Sequence, residues 1–348
     1  MSVAEPPTPG TLVPAPLRFL RSLSGPVIGL AVVLGLFIVL IGTKRDGRVD
    51  LANFLSLRNA QIVAHEATIP AVVALGMLLV IISGGIDLSV GSVVALSTVV
   101  TMQVYRALYD SSGIGAASWA AVATGVGVGG LCGLINGLVI TRLRLPPFVA
   151  TLGMFSVARG AAIWIAERRL IPFPRDAHPG WVEDLARVHV WPWVFNPGFW
   201  SAAVLAVVVA VLLRRTVFGR YVYAVGSSEA TARLCGVPVG AVKVAVYTAA
   251  GLLAGWAGII MFAHGSSGNP TGGEGLELEV IAAVVIGGAS LAGGRGTVLG
   301  TILGVLILSV LSNGVNTYNV PVETQHILIG IIIVANTALS QWHSRSDR

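Results

Sequence analysis

Charge is scarce in this chain: of 348 residues, 11% are Asp, Glu, Lys or Arg, while 55% are hydrophobic. Such a composition excludes the mixed-charge surface of an ordinary soluble domain and marks an integral membrane protein. Cysteine is scarce too. Cys132 lies in an apolar run and Cys235 in a charged loop, which excludes a disulfide framework or a metal site built on them, and both read as reduced. No Gly-x-x-x-x-Gly-Lys-(Ser/Thr) phosphate loop occurs, so the chain lacks the means to hydrolyse ATP by itself. The 43 glycines show no Gly-X-Y period, so collagen is excluded; they fit helices that pack backbone to backbone in lipid. The net charge of +6 comes from Lys and Arg set between apolar runs, without a basic stripe interleaved with aromatics. That pattern argues against nucleic acid as a partner.

Long apolar runs are what the sequence does have. Segments bounded by charge, Gly or Pro predict an all-α membrane protein of about ten spans. They fall near Pro26–Ile41, Ala67–Ile82, Ser92–Leu108, Trp119–Ile140, Phe148–Ala166, Trp200–Leu213, Val242–Phe262, Leu278–Ile286, Val298–Leu311 and Ile327–Leu339. With both termini cytoplasmic, Arg142, Arg144, Arg214, Arg215, Arg220, Arg233, Lys243 and Arg295 all fall inside, in the sense of the positive-inside rule. Residues 1–25 read as a Pro-rich disordered tail before an uncleaved first span, 26–340 as one transmembrane domain, and 341–348 as a second cytoplasmic tail.

Within these runs, Ser83-Gly-Gly-Ile-Asp-Leu-Ser-Val-Gly-Ser92 stands out. Lipid does not tolerate non-helical backbone, so this segment is expected to be buried in protein or to line a vestibule, as in a transporter. Asp87 has two readings: an N-cap for a helix starting at Leu88, or one side of an inner gate facing Arg295. Ser89 and Gly91 belong to the same turn. The run Leu278–Ile286 is too short for a straight crossing and is expected to be tilted, interrupted or partly re-entrant. It leads into Gly287-Gly-Ala-Ser-Leu-Ala-Gly-Gly-Arg-Gly296, a second glycine-rich break. Gly84, Gly85, Gly287 and Gly288 are candidates either for hinges or for close helix packing.

The loop 214–243 is the longest cytoplasmic connection. Ser227 or Ser228 is placed to cap a short helix through Leu234, and Gly236 to end it. With Glu229 at its start, then Ala230, Arg233 and Leu234, this helix reads either as a solvated loop element or as a knob that docks into a cytoplasmic subunit. Asn136, Asn313 and Asn316 sit in or beside spans and either face a polar path or join helices. Arg159 lies within a span. His65-Glu66 lacks further ligands nearby for a metal, and Trp181, Trp191 and Trp193 suit an interfacial belt.

Several stretches together resemble the permease of bacterial ABC importers of the ribose, xylose and arabinose type. They are Ala74-Leu-Gly-Met77, Val80 to Ser92, Asn136-Gly-Leu-Val-Ile-Thr141, Leu145 to Gly153, Arg159-Gly160, Phe218 to Gly226, Glu229-Ala230 and Arg233-Leu-Cys-Gly236. Gly251-Leu-Leu-Ala-Gly255, Pro270 to Gly275, Glu277 to Gly296 and Gly300-Thr301 complete the set. The resemblance implies a bacterial inner-membrane subunit, paired with itself or a close relative, that carries a monosaccharide by alternating access and is not itself an enzyme. It implies two cytoplasmic ATPase subunits that use ATP and Mg, an extracytoplasmic sugar-binding protein, and no cofactor on this chain. The loop around Glu229–Gly236 then corresponds to the coupling helix. A permease for another polar solute, such as an amino acid or nucleoside, is the nearest alternative. An ion-coupled secondary transporter would need intramembrane carboxylates beyond Asp87, and an intramembrane enzyme would need a catalytic constellation that the spans lack.

Overall fold

A single helical turn, α1 (Leu51–Phe54), leads into α2 (Leu57–Ile82), the central helix of the molecule. The Ser56 hydroxyl caps α2 by accepting from the Asn59 amide at 3.2 Å. From Ala71 to Ile82 every residue is buried, as befits a helix that is apolar all round and surrounded by others. The computed structural model describes residues 51–174, 178–188 and 194–317, together with isolated helical positions 26, 27, 29–31, 34, 35, 38 and 330.

Around α2 run α3 (Val90–Arg142), α4 (Pro147–Ile165), α5 (Gly180–Ala186), α6 (Pro197–Arg215), α7 (Val217–Ser227), α8 (Glu229–Leu234), α9 (Val239–Gly265), α10 (Leu276–Ile286) and α11 (Val298–Thr317). The long α3 is broken at Gly113 (φ 76°, ψ 160°) and folds back on itself, since Ser97 on its first arm shares its hydroxyl proton between the carbonyls of Gly125 on its second arm and Gly255 on α9, both at 3.0 Å. Among the described residues, six helices (α2, α3, α4, α6, α9 and α11) are long and apolar enough to cross a membrane. The chain is thus mostly helical and multi-pass. The outermost of them, α4 and α6, expose Val157, Trp164, Val204 and Val207, which hydrocarbon accepts and water would not.

Leu30 and Leu34, in the expected first span, pack against the core. The expected last span, Ile327–Leu339, lies outside the described residues except for Gly330, as do the tails 1–25 and 341–348. At one end of the bundle, β1 (Ile171–Pro172) pairs antiparallel with β2 (Ser267–Gly268), Ile171 opposite Gly268. Trp181 stacks on Phe262 there and is half-buried; Trp191 and Trp193 lie outside the described residues.

The eleven residues of α10 span about 16 Å at 1.5 Å per residue, half of a ~30 Å hydrocarbon layer. Before it comes a run of turns over residues 270–275. Gly268 packs on Met102 and Gly273 on Gly91, and between them the Asn269 amide donates to Thr98 Oγ1 at 3.0 Å. The segment from Gly268 to Gly275 therefore runs down the first arm of α3 before α10 begins. Of the three expectations for the short run, tilted, interrupted or partly re-entrant, the break into turns before α10 is an interruption.

Candidate functional site

At the end of the bundle opposite the β pair, α8 forms as the residues dictate. Ser228 is its N-cap, its hydroxyl accepting from the Thr231 amide at 3.2 Å. Gly236, at φ 78°, ends it: its amide donates to Arg233 O and that of Val237 to Ala232 O, both at 3.0 Å, a Schellman-type stop. The Glu229 carboxylate accepts from Arg233 at 2.7 Å and from Lys243, at the base of α9, at 2.6 Å. The Lys243 hydrogen bond first, then that of Arg233, holds this carboxyl below the usual carboxylate range. Glu229 is thus a brace that fixes α8 to α9. Leu234 on the same helix is 89% exposed, beside the exposed Cys235. Ala230 and Arg233 stand on the same short helix.

Immediately before α8, the end of α7 is wedged between the two glycine-rich breaks. A Cβ on Gly226 would overlap the Ile82 carbonyl and the Gly294 amide, so only glycine fits. The Gly294 amide donates to Ile82 O at 2.9 Å, and Tyr223 Oη donates to Gly296 O at 2.8 Å. Sequence alone gave no sign that these three segments meet. The hinge and packing readings of the glycines divide by residue: Gly84 and Gly288 take φ of 81° and 88°, a left-handed conformation that favours glycine, whereas Gly85 abuts Tyr247 and Gly287 abuts the backbone of Gly300.

After the first break the chain climbs back into the bundle. Tyr247, which touches Gly85, lies eight residues into α9, about 12 Å from its start. The helix begins at Val90 rather than Leu88, and Ser89 is the N-cap residue. Asp87 therefore does not cap in the expected way: its Oδ1 accepts from the Ser89 amide at 2.8 Å and from Ser89 Oγ at 2.6 Å, an Asx-type turn. Ser89 Oγ in turn accepts from Asn136 Nδ2 at 3.0 Å. All three residues are buried. In this conformation Asn136 is a helix-to-helix hydrogen bond, and Asp87 is bonded to Ser89, with no ion pair to Arg295. Of the other asparagines, Asn313 is buried and Asn316 exposed.

A further group, Glu277, was not singled out in sequence. In the structure its Oε2 is buried against Gly91, deep in the bundle. The shortness of the run that follows it was the available signal. At the opposite end, His65 stacks on His264 with ring centroids 3.9 Å apart and contacts Asn196 at 2.7 Å.

Comparison with known proteins accords with this architecture. Residues 59–337 match the family described as branched-chain amino acid transport system / permease component. The chain is 36% identical to the ribose import permease of Escherichia coli K12 over 81% of its length and 85% of that protein's. It is 37% identical to the ribose import permease of Bacillus subtilis strain 168 over 91% of this chain and 92% of the relative. The fructose import permease of Rhizobium meliloti is 33% identical over 92% and 86% of the two chains. No solved structure matches. A family match across most of the chain, with relatives above 30% identity over nearly all of it, places this protein in the branched-chain amino acid transport system / permease component family of ABC importers.

Proposed function

We propose that this chain is the membrane-spanning permease of an ATP-driven sugar importer in the bacterial inner membrane, one of two copies or close relatives that form the path for a monosaccharide. It is a transport component rather than an enzyme. The end carrying α8 is cytoplasmic, consistent with Arg214, Arg215, Arg220, Arg233 and Lys243 clustered there, and the β1–β2 end with α5 faces an extracytoplasmic sugar-binding protein. About ten crossings follow once the first and last spans are counted. ATP and Mg belong to the ATPase subunits that receive α8.

One observation carries this reading. Gly226, three residues before Glu229, touches both glycine-rich breaks, so a push on α8 reaches them through a rigid backbone contact rather than through flexible side chains. Coupling of distant sites needs an element with two arrangements, and the breaks, with their residues at positive φ, supply it. Asp87 and Arg295 act as an inner gate that pairs in the other arrangement, and Asn313 and Asn316 line the outer path.

The test is reconstitution in liposomes with the ATPase and the binding protein, scored for uptake of pentoses, hexoses and leucine. Sugar uptake that needs ATP and the binding protein supports the reading. Equal flux by the chain alone would make it a channel or secondary carrier, and uptake of leucine alone would make it an amino-acid permease.

A further inference from the structure

Two oppositely charged residues, Arg159 and Glu277, meet the segment that leads into α10. Arg159 on α4 donates through Nη1 to the carbonyls of Pro270 at 2.9 Å and Gly272 at 3.1 Å, which holds that segment in place. Its Nη2 is buried and has no hydrogen-bond partner among the described residues. Glu277, in the first turn of α10, buries Oε2 against Gly91 and likewise leaves it without a partner. Glu274 first, then Glu277, acts on the Arg159 guanidinium electrostatically, yet no N–O contact within 4.0 Å joins Arg159 to Glu277. Both residues are half-buried, and their two unpartnered atoms are closed off in this conformation, so a solute reaches them only when the surrounding segment moves.

We propose that Arg159 and Glu277, with the carbonyls of Pro270 and Gly272, form a mid-membrane site for a sugar hydroxyl on its way through the permease. The inference rests on the importer reading above. A buried, unpartnered charged group is costly, and here one is a donor and the other an acceptor. A hydroxyl donates one proton and accepts at its lone pairs, so one hydroxyl, or two on adjacent carbons, satisfies both at once. The charges cancel, so the site holds a neutral polyol without favouring cations or anions. Discontinuous helices at the midplane are where transporters place such contacts. Arg159 also ties the site to the gate: a solute that competes for its guanidinium loosens the carbonyls of the segment before α10.

Two measurements decide the matter. The first is hydrogen–deuterium exchange across residues 267–277 of the purified chain, with D-ribose or D-fructose at high millimolar concentration, for wild type, Glu277→Gln and Arg159→Lys. Protection by sugar in wild type that both variants lose supports the site. No protection, or equal protection by glycine as a zwitterion, overturns it. The second is uptake at saturating loaded binding protein, with ATP hydrolysis recorded in parallel: the loss of one charge-assisted hydrogen bond is expected to lower sugar moved per ATP about tenfold. Unchanged uptake in both variants overturns the proposal, as does loss of ATPase binding in both, which would make the pair structural. The exchange measurement needs neither ATP nor partners, so it stands even if the importer reading itself fails.

Discussion

The backbone amide of Gly294 donates to the carbonyl of Ile82 at 2.9 Å. That bond joins the end of α2 to the turn after α10, and Gly226 closes over it with no room for a Cβ. The elements that a coupling helix must move are therefore already in contact with the residues that precede it.

Gly226→Ala forces this junction apart. The overlaps are with backbone atoms, which no rotamer relieves, so a cost of about 1–3 kcal/mol is expected. Thermal unfolding in detergent should show a lower midpoint than wild type. Gly240→Ala, where nothing lies within 4 Å of the added Cβ, should be neutral or slightly stabilising.

The brace at Glu229 sets a pH dependence. Its folded pKa is depressed, so its contribution to the order of α8 is present above the unfolded value of about 4.3 and fades as pH falls through the lower folded value. A fluorescent probe on Cys235 should keep its anisotropy from neutral pH down to about 4.3 and lose it as pH falls through the lower folded value. Lys243→Met should shift the loss of order to higher pH. At 41% exposure of Glu229, each pair is worth only ~0.2–1 kcal/mol, so the effect should be local rather than global unfolding.

Cys235 and Cys132 report sidedness and docking. Cys235 is exposed and Cys132 buried, so a water-soluble maleimide should label the first alone, and only from the cytoplasmic face. Bound ATPase should protect it. Labelling from the outer face of intact cells would invert the topology proposed here.

Asp87→Asn keeps an oxygen that accepts from the Ser89 amide and hydroxyl, whereas Asp87→Leu leaves buried donors without a partner. The second variant should be less stable than the first by about 1–3 kcal/mol, read from thermal or denaturant unfolding. Equal stability would remove the Asp87–Ser89–Asn136 chain from the list of structural supports.

Local rules made much of this legible in sequence. Ser228 and Gly236 announced α8 by capping chemistry, and the brevity of Leu278–Ile286 announced an interrupted helix. Long-range contacts were not legible, because a hydrogen bond such as Asn136 to Ser89 leaves no periodic trace in either segment. The same holds for Gly226: its role depends on what packs against it, and a glycine near a helix end looks like any other stop signal. Glu277 was missed because the run of turns before it carries no hydrophobic period and reads as loop. Asp87 was two residues from where a cap would sit, a shift that only the turn geometry decides.

The most direct measurement is of ATP hydrolysis and sugar uptake together, in one reconstituted complex, for wild type and Gly226→Ala. If α8 drives the glycine-rich breaks through Gly226, hydrolysis should persist while uptake falls steeply. Uptake and hydrolysis that stay at wild-type levels, or that fall only in step with lost assembly, would contradict that route of coupling.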